Sequence, residues 1–402
     1  MFLGLGSMLG AGVFAAFAPA AAVAGSALLI GLAIAAVVAW CNASSSAQLA
    51  AVYPTSGGTY VYGREQLGPW WGFAAGWAFV IGKTASSAAM ALTFAAYAVP
   101  AAWQRPVAAV AVAVLAGVNY AGISRTAQVT RVTVLLVLAC LSVVVASGMS
   151  AGGGLPVVVS PVGGPEWYGV LQAAGLLFFA FAGYARIATL GEEVREPRHT
   201  IPRAILLALG IVVMVYAVVA TVALRVLGAH DLAHSAAPLA DVVAARGWAW
   251  AVPLVGVGAA LASLSALLAL MAGIGRTTLA MAREGDLPRW LAAVHPRWRS
   301  PHRAELVLAA AVIALVLSVD LRGAIGFSSF GVLIYYAVAN LAALRQPIEQ
   351  RRSPRLLQLI GLIGSLALVG TLPPASVLAG LAVFAVGIVG RLLLRSESGG
   401  GH

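Results

Sequence analysis

The sequence predicts an all-α integral membrane protein of about 12 transmembrane helices, and three observations carry that expectation. Of the 402 residues, 61% are hydrophobic and 9% charged, with a mean hydropathy of +0.96. That leaves too little polar cover for a soluble surface of this size. Apolar runs of ~17 to 25 residues, the length that crosses a bilayer as helix, recur from end to end, so neither a cleaved leader nor a single anchor explains them. The basic residues, finally, fall predominantly on one side of those runs.

Reading runs between polar and Pro/Gly breaks gives spans at 1–18, 24–50, 69–98, 106–121, 125–148, 168–191, 201–227, 250–282, 303–319, 323–344, 355–372 and 375–394. With the amino terminus inside, the inner loops and tail hold 18 of the 24 basic residues, from Arg64 through Arg283 and Arg303 to Arg391 and Arg395. Arg105, Arg225, Arg246 and Arg322 fall outside, while Lys83 and Arg186 fall within spans. The positive-inside rule therefore puts both termini in the cytoplasm of a multi-pass inner or plasma membrane protein. Topology also accounts for the net charge of +11, and no nucleic acid partner is implied. Trp70, Trp71, Trp103, Trp167, Trp248 and Trp290 sit near span ends as interfacial anchors. Cys41 and Cys140 lie in apolar runs without metal or redox spacing and read as small core residues.

Two interruptions stand out. In "GSMLGAG", Gly10 and Gly12 each lower helix propensity by roughly 1 kcal/mol and Ser7 competes for backbone hydrogen bonds, which favours local unwinding. Close packing of helices through small residues explains the same spacing. In the sixth span, "LLFFAFAGYARIATLGEE", Gly183 stands beside Tyr184 and Arg186. Spans one and six open two consecutive five-helix sets, and interrupted helices at matching positions point to a site between inverted repeats. Half-helix ends would offer N–H donors to an anion and carbonyls to a cation, which suits a zwitterion.

Four ordered stretches extend the pattern: "GSMLGAGVF", "YPTSGGTYVYGREQLGPWWGFAAGW", "FFAFAGYARIATLGEEVREPRHTIPRAI" and "RTTLAMAREGDLPRWLAAVHPRWRSPHRA". Through them the chain resembles the amino acid, polyamine and organocation permease superfamily over nearly its whole length. The resemblance implies a LeuT-type fold: a first repeat at 1–150, an inverted second repeat at 165–345, two further helices at 354–395 and a disordered tail at 396–402. It also implies alternating access around a central amino acid site. There Ser7, Gly10, Ala11 and Gly12 would surround the substrate carboxylate, Ala182 and Gly183 would present carbonyls to its amino group, Phe179 would close over it, and Tyr184 would adjoin.

The lysine that some proton-coupled relatives carry in span five is missing, with Val137 at about that position. The single lysine, Lys83, lies 14 residues past Pro69, or ~21 Å along span three and near mid-membrane. A charge at that depth costs at least ~2.5 to 3.5 kcal/mol, so Lys83 is a candidate for coupling, or else it satisfies carbonyls of a broken helix. Arg186 either meets a substrate carboxylate or lines the inner vestibule and pairs with Glu192 or Glu193. No Asp or Glu falls in the middle of any span, which favours a neutral or acidic amino acid over a cationic one. Ser263 and Ser265 point to different helix faces, against sodium, and proton symport is the preferred coupling, with exchange or uniport open. A non-transporting sensor on the same fold is a further alternative.

No HExxH, nucleophile elbow or paired intramembrane carboxylates support an enzyme, and no filter motif supports a channel. No cofactor is implied. His230, Asp231, His234 and Asp241 lack compact metal spacing. The sequence leaves homodimerisation open. Thr200 is expected to cap a helix with Pro202 in its first turn, and Glu192 and Glu193 to pair with arginines of the loop after span eight. Only 6 residues precede Ser7, whereas half of a ~30 Å hydrocarbon core needs about ten, so additional residues upstream of Met1 are expected.

Overall fold

The computed structural model describes residues 2–53, 57–122, 127–150, 166–184, 187 and 196–399. Among these every regular element is helical. The first span is split into α1 (Phe2–Met8), α2 (Ala11–Ala15) and α3 (Phe17–Ala24), followed by α4 (Leu28–Val52). A short α5 (Thr59–Leu67) turns into α6 (Pro69–Ala98) through Gly68, whose φ of 107° is glycine territory, and Pro69 is preset for a first helical turn. Then come α7 (Gln104–Tyr120), α8 (Ala127–Met149) and α9 (Trp167–Phe181).

The next helix, α10 (Pro197–His234), is kinked at Gly228. It precedes α11 (Pro238–Ala245), α12 (Val252–Arg283), α13 (His302–Ser318), α14 (Leu321–Arg345), α15 (Arg355–Thr371) and α16 (Pro374–Gly399). Nine stretches among the described residues are long and apolar enough to cross a membrane, and Gly4–Ala15 and Arg355–Thr371 are shorter apolar helices. One boundary differs from expectation. α10 begins at Pro197, so Thr200 is not its cap and Pro202 lies inside the helix. Pro197 supplies the favourable first position instead, where a missing N–H costs nothing.

The helix α6 is the hub, packing most extensively against α14 and α12, while α4 packs on α9 and α10. Outward faces stay apolar: Leu207, Ile211, Met214 and Val218 are exposed along one stripe of α10, as lipid requires. Trp70, Trp71, Trp103, Trp167 and Trp290 are exposed near helix ends. Buried amides tie the apolar helices together. Asn340 on α14 donates to Asn42 on α4 at 2.6 Å and Asn42 to Ser365 on α15 at 3.1 Å, while Gln48 donates to Gln346 at 2.7 Å. Interhelical polar contacts of this kind hold helices together where lipid gives no hydrophobic drive.

A buried ionic cluster sits at one end of the bundle. Asp286, in the loop after α12, lies 2.8 Å from Arg391 of α16, 3.6 Å from Arg64 of α5 and 3.5 Å from Arg395. Tyr60 donates to Asp286 at 2.9 Å; burial and that carboxylate push its phenol well above the ordinary range, so it remains a donor. Arg391 also donates to the Pro69 carbonyl at 3.0 Å and lies over Trp70 and Phe73. The sequence reads Arg391 as one more inner-side arginine. The structure buries it completely, because α16 leans on α6 where two aromatic faces and one carboxylate await a cation. Glu192 and Glu193 lie outside the described residues; Arg64 has Glu284 as its partner at 2.8 Å.

Removing one partner of a buried ion pair strands the other. Asp286→Asn is expected to destabilise the protein by about 3 kcal/mol, and Glu284→Gln, whose side chain is 49% exposed, by under ~1 kcal/mol. Unfolding midpoints in lipid nanodiscs check the contrast.

Candidate functional site

The two interruptions meet. α1 ends at Met8, Leu9 and Gly10 leave the helix, and α2 restarts at Ala11. α9 ends at Phe181 and gives way to a tight turn at Ala182–Tyr184. Gly183 packs directly on the Ser7 carbonyl, where a Cβ would overlap it. A Cβ on Gly12 would stand 2.6 Å from the Ala180 Cα, and one on Gly10 2.9 Å from the Ala266 Cβ. Gly12 and Gly183 therefore let the broken segments cross at backbone distance, and Gly10 lets the first pack closely on α12, the close-packing reading of the motif.

Breaking a helix frees carbonyls that water cannot reach, and each needs a donor. The donors come from tyrosines and one lysine on other helices. The single hydroxyl proton of Tyr216 of α10 is shared between Met8 O and, at 3.0 Å, Ala180 O. Tyr97, at the far end of α6, donates to Phe14 O at 3.0 Å. Ala182 O accepts from Lys83 Nζ at 3.0 Å and from the Tyr336 hydroxyl at 3.3 Å. Lys83 is only 5% exposed, and among the described residues it forms no ion pair.

Beside this crossing lies a cavity of about 120 Å³. Ser7, Lys83, Phe179, Ala182 and Gly183 line it, so five of the expected site residues are brought together. Gly10, Ala11, Gly12 and Tyr184 do not line it: the glycines are spent on helix packing, Ala11 is fully buried, and Tyr184 stacks on Tyr336 with ring centroids 4.8 Å apart. Arg186 lies outside the described residues. Val137 is buried in α8.

The other walls come from α6 (Phe79, Ser86, Met90) and α12 (Ala266, Leu270, Gly273, Arg276, Thr277, Ala280). Sequence reasoning missed Arg276 because it reads as a loop residue at a span end. It missed Tyr97, Tyr216 and Tyr336 although a signal existed: a tyrosine inside an apolar span carries a hydroxyl that must find an acceptor. Glu305, in the first turn of α13 and 3% exposed, packs against Gly275 and lies near Arg276. It is the one buried carboxylate near the cavity among the described residues, though it does not line it.

A helical bundle rich in membrane-length spans, with a cavity where two of them break, defines a polytopic membrane protein with a small-molecule-sized site. The comparisons make this specific. The amino acid permease family profile matches residues 1–386, and the chain belongs to that family. An uncharacterized transporter of Mycobacterium bovis is 59% identical over 386 residues, covering 96% of this chain and 88% of its own length. Cationic amino acid transporter 6 of Arabidopsis thaliana is 28% identical (96% of this chain, 73% of the relative), and a branched-chain amino acid permease of Bacillus subtilis 26% (88% and 80%). Family and relatives are transporters, not enzymes.

Gly12→Ala is expected to lower the unfolding midpoint strongly, since the Cβ meets backbone rather than a movable side chain. Gly117→Ala, on a helix with nothing within 4 Å, should be neutral or stabilising by up to ~1 kcal/mol. Tyr216→Phe removes the hydroxyl that Met8 O and Ala180 O share and should cost about 1 to 3 kcal/mol, read by the same thermal measurement.

Proposed function

We propose that the protein carries a small amino acid across the cytoplasmic membrane by alternating access, in symport with a proton. The observation that carries this reading is the cavity beside the two broken helices, whose backbone is held by Lys83 of a third. In this reading 1–150 and 165–345 are inverted five-helix repeats, 354–395 adds two helices, and both termini are cytoplasmic. Twelve spans then cross the bilayer, α13 and α15 among them.

The cavity's lining supports an inward-facing state. Gly57, Arg276 and Ala280 extend it toward the end that carries the Asp286 cluster. At the opposite end Tyr97 joins Phe14 O to the Leu239 N–H of α11, a latch that closes the outer side. Lys83 couples the proton: moving its charge on or off changes what holds the Ala182 carbonyl, and with it the packing of α6 on the sixth span. The family and the permease relatives support an amino acid as cargo, and a lining that holds Lys83 and Arg276 but, among the described residues, no carboxylate supports a neutral or acidic one.

Uptake of labelled amino acids into proteoliposomes tests this. Wild type should accumulate substrate when an inward proton gradient is imposed, and Lys83→Ala should lose the gradient dependence. Accumulation that ignores the gradient in wild type would favour exchange or uniport, and binding without any uptake would favour a sensor.

A further inference from the structure

A carbonyl oxygen has two lone pairs. On Ala182, both are in use: one takes the Lys83 ammonium at 3.0 Å, the other the Tyr336 hydroxyl at 3.3 Å. The neighbouring carbonyls Met8 O and Ala180 O share one donor, the Tyr216 hydroxyl. An amino group on the ligand therefore finds the Ala182 carbonyl occupied, and by a group of its own kind. Lys83 stands at the cavity wall, where a ligand's ammonium would be expected to sit, and its positive charge meets no carboxylate among the described residues. The second cation of the lining, Arg276, lies near Glu305, whereas Lys83 forms no ion pair among the described residues.

From this arrangement we infer that the cavity takes a small carboxylate of net negative charge, with the Lys83 ammonium built into the protein as the cationic pole that a zwitterion would have to bring itself. An acidic amino acid and a carboxylic acid without an amino group share this chemistry. A zwitterion pays twice in this site: its ammonium repels Lys83, and it must displace a donor from Ala182 to be satisfied. A carboxylic acid without an amino group incurs neither cost and neutralises a buried charge, while an acidic amino acid offsets the same two costs with its second carboxylate. The inference rests on the transport reading only in naming this cavity as the place where cargo binds.

Matched ligands isolate the charge. Aspartate and asparagine share a shape, as do lactate and alanine, and each pair differs by one negative charge; succinate is aspartate without its amino group. Equilibrium binding of each labelled compound to the full chain in lipid nanodiscs is the measurement. In at least one pair the anion should bind about tenfold or more tighter than its zwitterionic partner. Lys83→Met should remove that preference, because it deletes the cation and frees a lone pair on Ala182, while Lys83→Arg should retain it. Succinate binding as well as aspartate would assign the site to acids without an amino group; aspartate alone would assign it to acidic amino acids.

Zwitterions binding as tightly as the anions in both pairs would overturn the inference, as would failure of every anion to bind, or an anion preference that survives Lys83→Met. Should Lys83→Met not fold, the wild-type pairs decide alone. Accumulation of asparagine or alanine in proteoliposomes, with no anion preference, would leave the transport reading standing and this inference fallen. Lys83-dependent anion binding without uptake of any compound would do the reverse.

Discussion

A peptide carbonyl inside a membrane protein must have a donor, and a helix broken at mid-membrane frees several at once. Much of the interior of this protein answers that demand. The first and sixth spans both break, and the carbonyls released at Met8, Phe14, Ala180 and Ala182 are met by Tyr216, Tyr97, Lys83 and Tyr336 from three further helices. Each such bond carries a geometric requirement: α6, α10 and α14 must pass the breaks at a height that brings the right side chain to the right oxygen. The hub position of α6 follows, since it supplies a donor to each broken span. Glycine meets the other half of the requirement. Only without a Cβ can Gly183 rest on the Ser7 carbonyl and Gly12 on Ala180.

The same bonds give the cavity its character. Backbone that is merely unwound is amphoteric, with N–H groups for anions and carbonyls for cations. Once tyrosine hydroxyls and an ammonium have taken the carbonyls, the balance shifts toward donors, and the polar part of the wall becomes electropositive. Lys83 is thus structural and, in the proposed reading, functional at once. Its bond to Ala182 holds the turn of the sixth span, and the charge it brings sets what can lie beside it. The alternatives that a buried lysine raises, support for a broken helix or a role with the ligand, are not exclusive here because the broken helix is the cavity wall.

Away from the cavity, two other polar devices fix the helices that lipid cannot hold together. The amide network of Asn42, Asn340 and Ser365 binds α15 to the bundle, and the Asp286 cluster binds α16, whose outer face is otherwise apolar and exposed. Arg391 is the more consequential group. Fully buried, it shares Asp286 with Arg64 of α5 and lies over Trp70 and Phe73 of α6, so one carboxylate organises an entire end of the molecule.

What the sequence determined by itself was the class of structure and the location of its weak points. Apolar runs of bilayer length dictate membrane helices whatever they pack against. Glycine clusters in spans one and six lower helix propensity locally, so the breaks are legible at Gly10 and Gly183, as is the cost of placing Lys83 at that depth. Tertiary structure decided how those features were used. A glycine that unwinds a helix and one that admits a neighbouring backbone read identically along the chain; only the crossing of α2 with α9 shows Gly12 doing the second while Ser7 and Gly183 reach the cavity. Likewise Arg391 and Arg395 look alike in sequence, and only the approach of α16 to Trp70 buries the first and leaves the second half exposed. The meeting of Lys83 with Ala182, 99 residues apart, is a long-range contact that no local propensity encodes, and it is the contact on which the chemistry of the cavity turns.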